Sequence, residues 1–155
     1  MSATPKSLRT GHVGINVTDL DRSIDFYERV FGLEQVGGST SGTEPERRHA
    51  FLARDGQLLV TLWQQADSAY VRGAAGLHHL SFEVDSVEEV RAAEQTLRRI
   101  GAAFQYEGVV PHREGADSGG IFFTDPDGTR LEVFAAHGAG KAQAPSADAP
   151  TCGFF

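Results

Sequence analysis

Between residues 11 and 17 apolar and polar side chains alternate with a period of two: Val13, Ile15 and Val17 fall on one side, and His12, Gly14 and Asn16 on the other. That period marks a half-buried strand. At Thr18-Asp19-Leu20-Asp21 the pattern changes to cap-forming residues, after which Ile24, Tyr27, Val30 and Phe31 recur at helical spacing and Gly32 ends the run. Strands are predicted over 33–36, 47–54 and 58–63, the last two joined by an Asp55-Gly56 turn. The first half therefore reads strand, helix, three strands.

The pattern then restarts. Leu77 to Val84 is a strand, and Ser86 and Glu89 are spaced as a capping box for a helix to Arg99 whose stripe is Val87, Val90, Ala93 and Leu97. Strands are expected over 103–109, 120–124 and 130–135, the last two separated by the turn Asp125-Pro126-Asp127-Gly128. His79 precedes Val84 by five residues as His12 precedes Val17, and 79 − 12 = 67 is roughly half of the 155-residue chain. The fold class is α+β, with βαβββ modules at 11–64 and 77–136, a leader at 1–10 and a connector at 65–76. Residues 137–155, rich in alanine, glycine, proline and serine, are expected to form a flexible tail with Phe154-Phe155 as a small docking anchor.

Composition narrows the setting. Fourteen Lys and Arg against 21 Asp and Glu give −7, which opposes general attraction to nucleic acid or to an anionic membrane. No apolar run has the length of a membrane helix, and Met1 to Lys6 lacks the apolar stretch of a secretory signal, so a cytoplasmic protein is expected. Cys152 is the one cysteine, which excludes a disulfide framework and a thiolate metal cluster.

Candidate chemistry comes from comparing strand faces. In the last strand Leu131 and Val133 share the apolar face, and Glu132 points the other way, as His12 and His79 do. Two imidazoles and one carboxylate suit a first-row divalent ion and can occupy one face of an octahedron, leaving the opposite face for substrate. His78 has the other parity and is expected to face the helices or an interface. The turn at Asp125 is explained by its composition without calcium.

Gly11-His12-Val13-Gly14-Ile15-Asn16-Val17, Asp19 to Tyr27 with Phe31-Gly32-Leu33, Leu77-His78-His79-Leu80-Ser81-Phe82, and Phe122 to Glu132 together resemble the signature of the vicinal oxygen chelate superfamily, that of glyoxalases, bleomycin resistance proteins and extradiol dioxygenases. The resemblance spans about residues 9 to 136. It implies that the two modules form a curved mixed sheet around a metal-containing cleft, with His12, His79 and Glu132 as ligands, and it implies a homodimer. Glyoxalases usually carry a further Glu or Gln on strand four, where this chain has Thr61 and Trp63 on the corresponding face. Thr61 is a poor substitute for a ligating carboxylate or amide, which favours three-ligand branches.

The leading expectation is an extradiol-type ring-cleaving dioxygenase acting on a small-molecule substrate with vicinal oxygens. Fe(II) is the preferred metal, with Mn(II), Zn(II) or Ni(II) as alternatives. The competing expectations are a glyoxalase-like lyase or isomerase, a metal-dependent resistance transferase, and a metal-free protein that binds an antibiotic or aromatic natural product. His49 and His112 are candidate proton carriers, and Thr61, Trp63, Tyr106, Arg113 and Phe134 are candidate substrate contacts. No organic cofactor is expected.

Overall fold

The computed structural model describes residues 4–155, so the first three residues of the expected leader lie outside it. The chain divides into two compact units: unit 1 comprises the residues up to Glu28 with Gly32–Ser68, and unit 2 comprises Arg29–Phe31 with Ala69–Phe155.

Unit 1 is built from β1 (Val13–Asn16), α1 (Leu20–Phe31), β2 (Glu34–Ser39), β3 (His49–Arg54) and β4 (Gln57–Trp63). The Asp19 carboxylate accepts the Arg22 N–H at 3.0 Å to start α1, and Gly32, at φ +62°, ends it. The strand order is β1-β4-β3-β2, with β1 and β4 parallel and the other neighbours antiparallel. Val17, Leu20, Tyr27, Leu52, Val60 and Leu62 are fully buried, and each such aliphatic side chain contributes roughly 1.5–3 kcal/mol. The Gln64 side-chain oxygen Oε1 accepts from Leu20 N (2.8 Å) and from Arg48 (3.1 Å), and the Arg48 guanidinium grips Asp21 with contacts of 2.8 and 2.9 Å.

Unit 2 repeats the plan with β5 (Leu80–Val84), α2 (Val87–Arg99), β6 (Val110–Pro111), β7 (Gly119–Thr124) and β8 (Arg130–Ala135), in the order β5-β8-β7-β6. Its helix-side core is Val90, Leu97, Ile121, Phe123, Leu131 and Val133. Between β7 and β8 the buried Asp125 carboxylate accepts the N–H groups of Asp127 and Thr129, both at 2.9 Å. This is an Asx-type turn, and the run needs no cation to explain it.

Two expectations are corrected here. The strands do not form one curved mixed sheet around a metal-containing cleft: they form two separate four-stranded sheets, open at both edges, and neither is curved or closed. Among the described residues no strand ladder joins them, and in the second sheet the edge strand β6 stops after two residues at Pro111, which has no N–H to extend a ladder. The sixth strand, expected over 103–109, is instead Val110–Pro111 with a lone bridge from Phe104 to Phe123. Gly108, at φ +66°, breaks the extended run.

The segment after β8 is packed against unit 2, with Ala139, Ala144, Thr151 and Phe154 buried. Asp117 holds its start: the carboxylate accepts Gly138 N at 3.2 Å and meets His137 Nδ1 at 3.0 Å. The Gly138 amide, and secondarily His137, keep the Asp117 carboxyl below its ordinary 3.8. A carboxylate whose folded value is depressed contributes fully above the unfolded value and loses that contribution as pH falls through the folded one. Acidification from 3.8 downward should therefore speed exchange of the Gly138 and Ala139 amides before the Ile121 amide responds, and Asp117→Asn should remove that pH dependence. Hydrogen exchange read residue by residue checks both.

Candidate active site

The repeat aligns the two sheets position by position. Gly14 pairs with Thr61 and Phe51 with Thr61 in unit 1, as Ser81 pairs with Glu132 and Phe122 with Glu132 in unit 2. Thr61 therefore stands in its own sheet where Glu132 stands in the other. Its buried hydroxyl accepts from Trp63 Nε1 at 3.0 Å. Trp63 stacks on His49 with centroids 4.7 Å apart and planes 15° from parallel, and Phe51 meets Trp63 edge-on. His49 Nδ1 donates to the Arg47 carbonyl at 2.8 Å, so its hydrogen sits on Nδ1. His12 immediately precedes β1 and is exposed. Neither neighbouring glutamine supplies the missing fourth donor: Gln64 is committed to Leu20 and Arg48, and the Gln65 side chain donates to the Glu46 carbonyl.

In unit 2 alternation along β8 puts Arg130, Glu132 and Phe134 on the face away from α2. Glu132 is 3% exposed, and its two oxygens have different neighbours. Oε1 lies 2.5 Å from His112 Nε2, and Oε2 lies 3.9 Å from His79 Nε2. Because a carboxylate can only accept, His112 carries its hydrogen on Nε2, and its Nδ1 accepts the Ser118 hydroxyl at 2.9 Å. The Phe134 ring packs on His112 edge-on at 5.0 Å.

A second chain of contacts reaches His79. Arg130 always donates, so its contact of 3.1 Å with His78 Nε2 makes that nitrogen an acceptor and puts the His78 hydrogen on Nδ1. His78 Nδ1 lies 2.9 Å from His79 Nδ1 and donates to it. Partial burial lowers the His79 pKa; Glu132 opposes that shift, and His78 and Arg130 add to it. His79 is thus a neutral imidazole at neutral pH, with its own hydrogen on Nε2 toward Glu132.

Sequence reasoning expected His78 on the helix side or at an interface. β5 begins only at Leu80, so strand parity fixes neither His78 nor His79, and His78 is held in the cluster by its contacts with Arg130 and His79. Arg130 shares the parity of Glu132, so the alternation along the last strand already places it on this face. Phe154, expected only as a small docking anchor, has its ring 5.9 Å from that of His79 and 5.5 Å from that of Phe122, with the Arg130 guanidinium 5.3 Å from its centroid. Tyr106 packs on Phe122, and its hydroxyl donates to the Thr151 carbonyl at 3.0 Å. Arg113 is exposed in the turn between β6 and β7.

The donor types in unit 2 suit a first-row divalent ion: a neutral imidazole at His79 and a buried carboxylate at Glu132. Among the described residues no three His, Cys, Asp or Glu side chains are already arranged to hold one. Around Glu132 one oxygen, Oε1, accepts a hydrogen bond from His112, and the other, Oε2, faces His79 at 3.9 Å, beyond hydrogen-bond distance.

A duplicated βαβββ plan with a histidine and carboxylate cluster on a sheet face defines the class. The sequence profile of the Glyoxalase/Bleomycin resistance protein/Dioxygenase superfamily matches residues 9–133, and the chain belongs to that superfamily. It is 37% identical over 123 residues to a probable trivalent organoarsenical cleaving enzyme of Bacillus subtilis, covering 79% of this chain and 77% of the relative. It is 25% identical to the catechol-2,3-dioxygenase of the same organism, covering 87% of this chain and 44% of that one. A crystal structure of a glyoxylase/bleomycin resistance protein/dioxygenase domain from Frankia sp. EAN1pec shares the fold, with TM-score 0.68, 24% identity, and coverage of 84% of this chain and 98% of that one. Relationship to such enzymes supports an enzymatic role. No helix among the described residues is long and apolar enough to cross a membrane.

Proposed function

We propose that the chain is a divalent-metal-dependent enzyme that cleaves a bond in a small organic substrate, with a vicinal diol on an aromatic ring as the first substrate class. The observation that carries this reading is the buried Glu132 carboxylate set between the His79 and His112 imidazoles. His79 and Glu132 would hold the metal together with His12, which enters on its place in the repeat alone. Fe(II) bound there would supply electron exchange between the diol and dioxygen. Ring cleavage breaks one carbon–carbon bond and adds both atoms of one dioxygen, so no outside reductant is required.

The protein's own groups supply the rest. His112 holds a proton at Nε2 and an acceptor at Nδ1 backed by Ser118, an arrangement suited to moving a proton from a diol hydroxyl. The flat His49–Trp63 pair is a candidate surface for an aromatic ring. Thr61 in place of a fourth donor weighs against a glyoxalase-like isomerase. We also propose that the enzyme works as a homodimer.

A second substrate class is favoured by the 37% identical relative: a trivalent organoarsenical, whose carbon–arsenic bond would be cleaved at the same centre, a proton going to the carbon and hydroxide from water to the arsenic, which leaves as arsenite with no change of oxidation state. Trivalent arsenic is thiophilic, and Cys152 is the only thiol available to it. Protein reconstituted anaerobically with Fe(II), Mn(II), Zn(II) or Ni(II) is tested against catechols and a phenyl arsenical, following oxygen uptake and product mass. Oxygen-dependent ring opening supports the first class, and arsenic release that falls in Cys152→Ser supports the second. Turnover of neither with any of the metals would reject the reading.

A further inference from the structure

The Thr151–Gly153 turn sets Phe154 on the same face of unit 2 as Glu132. Phe154 is 3% exposed although the residues leading to it include exposed alanines and prolines. Its ring packs with Phe122, His78, His79 and the Arg130 guanidinium, which places it over the side chains that lead to Glu132. Its backbone is left-handed, at φ +56°, a conformation that a residue with a Cβ adopts only when its surroundings hold it there.

What holds it is specific. The Thr151 hydroxyl donates to the Pro111 carbonyl at 2.6 Å, the Thr151 N–H donates to the His112 carbonyl at 2.9 Å, and Tyr106 donates to the Thr151 carbonyl. Burial raises the Tyr106 pKa above its ordinary 10.0, so the phenol keeps the hydrogen this bond needs. The latch is therefore fastened to the backbone of the residue whose side chain engages Glu132.

We infer that Thr151–Phe155 is a strap that closes the Glu132 face, and that its release loosens Pro111–His112 and frees Glu132 from His112. That the freed carboxylate then serves a metal rests on the function proposed above; the closure itself does not. With the strap latched, Phe154 screens His79 and His112 occupies Oε1. With it released, the imidazole and the carboxylate become accessible together, so ligand access and carboxylate availability are one event.

The test needs no metal. Cys152 rides on the strap and packs against the Phe122–Phe154 cluster, so its alkylation rate reports opening. Thr151→Val keeps the side-chain volume and removes the bond to Pro111, and Phe154→Ala removes the plug while leaving the latch. Each should raise Cys152 alkylation about tenfold, the change that about 1.4 kcal/mol of lost closure produces. Carbethoxylation of His79 and His112, followed by peptide mass spectrometry, should rise in step while His49 and His137 keep wild-type rates. Unchanged His79 and His112 rates in both variants would overturn the strap, and so would a uniform rise at all six histidines, which would make the segment an ordinary part of the core. Mn(II) uptake by the same proteins separates the two ideas. Faster uptake with the histidine change supports both, whereas the histidine change without any Mn(II) binding leaves the strap standing and removes the metal reading.

Discussion

If Glu132 is a ligand of the proposed metal centre, Glu132→Gln should abolish metal uptake while leaving the protein folded. The substitution preserves shape and lets His112 Nε2–H still donate to a side-chain oxygen, but it removes the one negative donor beside His79. Changing groups that merely support a ligand lowers metal affinity about 10- to 100-fold, so loss of the carboxylate itself should lower it by about 100-fold or more. The fold should lose much less, because a neutral amide no longer carries the cost of a buried charge. Thr61→Ala is the internal contrast, since Thr61 occupies the matching place in unit 1 with a hydroxyl already engaged by Trp63. Metal content after controlled reconstitution, together with thermal unfolding, measures both effects. A Glu132→Gln protein that retains wild-type stoichiometry and affinity would remove Glu132 from the centre.

The second large effect is structural. Gly120 pairs with Phe134 on one side and Val110 on the other. A Cβ at Gly120 would run into the Val133 carbonyl oxygen and lie 2.7 Å from Phe134 Cα. The obstruction is backbone in a paired strand, which cannot swing aside as a side chain can. Gly120→Ala should therefore destabilise the protein by about 3 kcal/mol, the upper end for overpacking, and lower Tm by about 6–12 °C for a chain of this size. Gly73→Ala, where an added Cβ meets nothing within 4 Å, should stay within about 0.5 kcal/mol of the wild type. Equal stability of the two variants in denaturant unfolding would contradict the close approach of β7 and β8. Because Phe134 also packs on His112, Gly120→Ala should disturb the Glu132 contact as well.

What could be read from the sequence was whatever the two-residue and 3.6-residue periods control. The paired modules, both helix caps and the common face of Thr61 and Trp63 follow from alternation and capping chemistry. The pairing of Ser81 with Glu132, which brings His79 near that carboxylate, follows from the same repeat. Where the period lapses, the reading fails. His78 sits before β5 starts, so its parity carries no information, and Gly108 at positive φ ends an apolar run that looked like a strand. The expectation of a curved sheet enclosing a cleft came from resemblance, and local pattern has no term for how ladders end. Phe154 belongs to a segment whose composition predicts little order, and its burial depends on Thr151 meeting the carbonyls of Pro111 and His112, contacts with no periodicity to announce them.

The Asx-type turn at Asp125 also bears on the order in which the molecule assembles. It closes the β7–β8 hairpin, in which Phe122 meets Glu132 across 132 − 122 = 10 residues, whereas Ser81 meets Glu132 across 132 − 81 = 51. The longer closure costs about 1.4 kcal/mol more in chain entropy, so the hairpin should form first and β5 should dock late. Kinetic φ-values should accordingly be higher for Ile121→Val than for Leu80→Ala, and the reverse ranking would refute this order. Under mild denaturation the same asymmetry should run backward: β5 undocks while the hairpin persists, so that His79 parts from Glu132 before the rest of unit 2 unfolds.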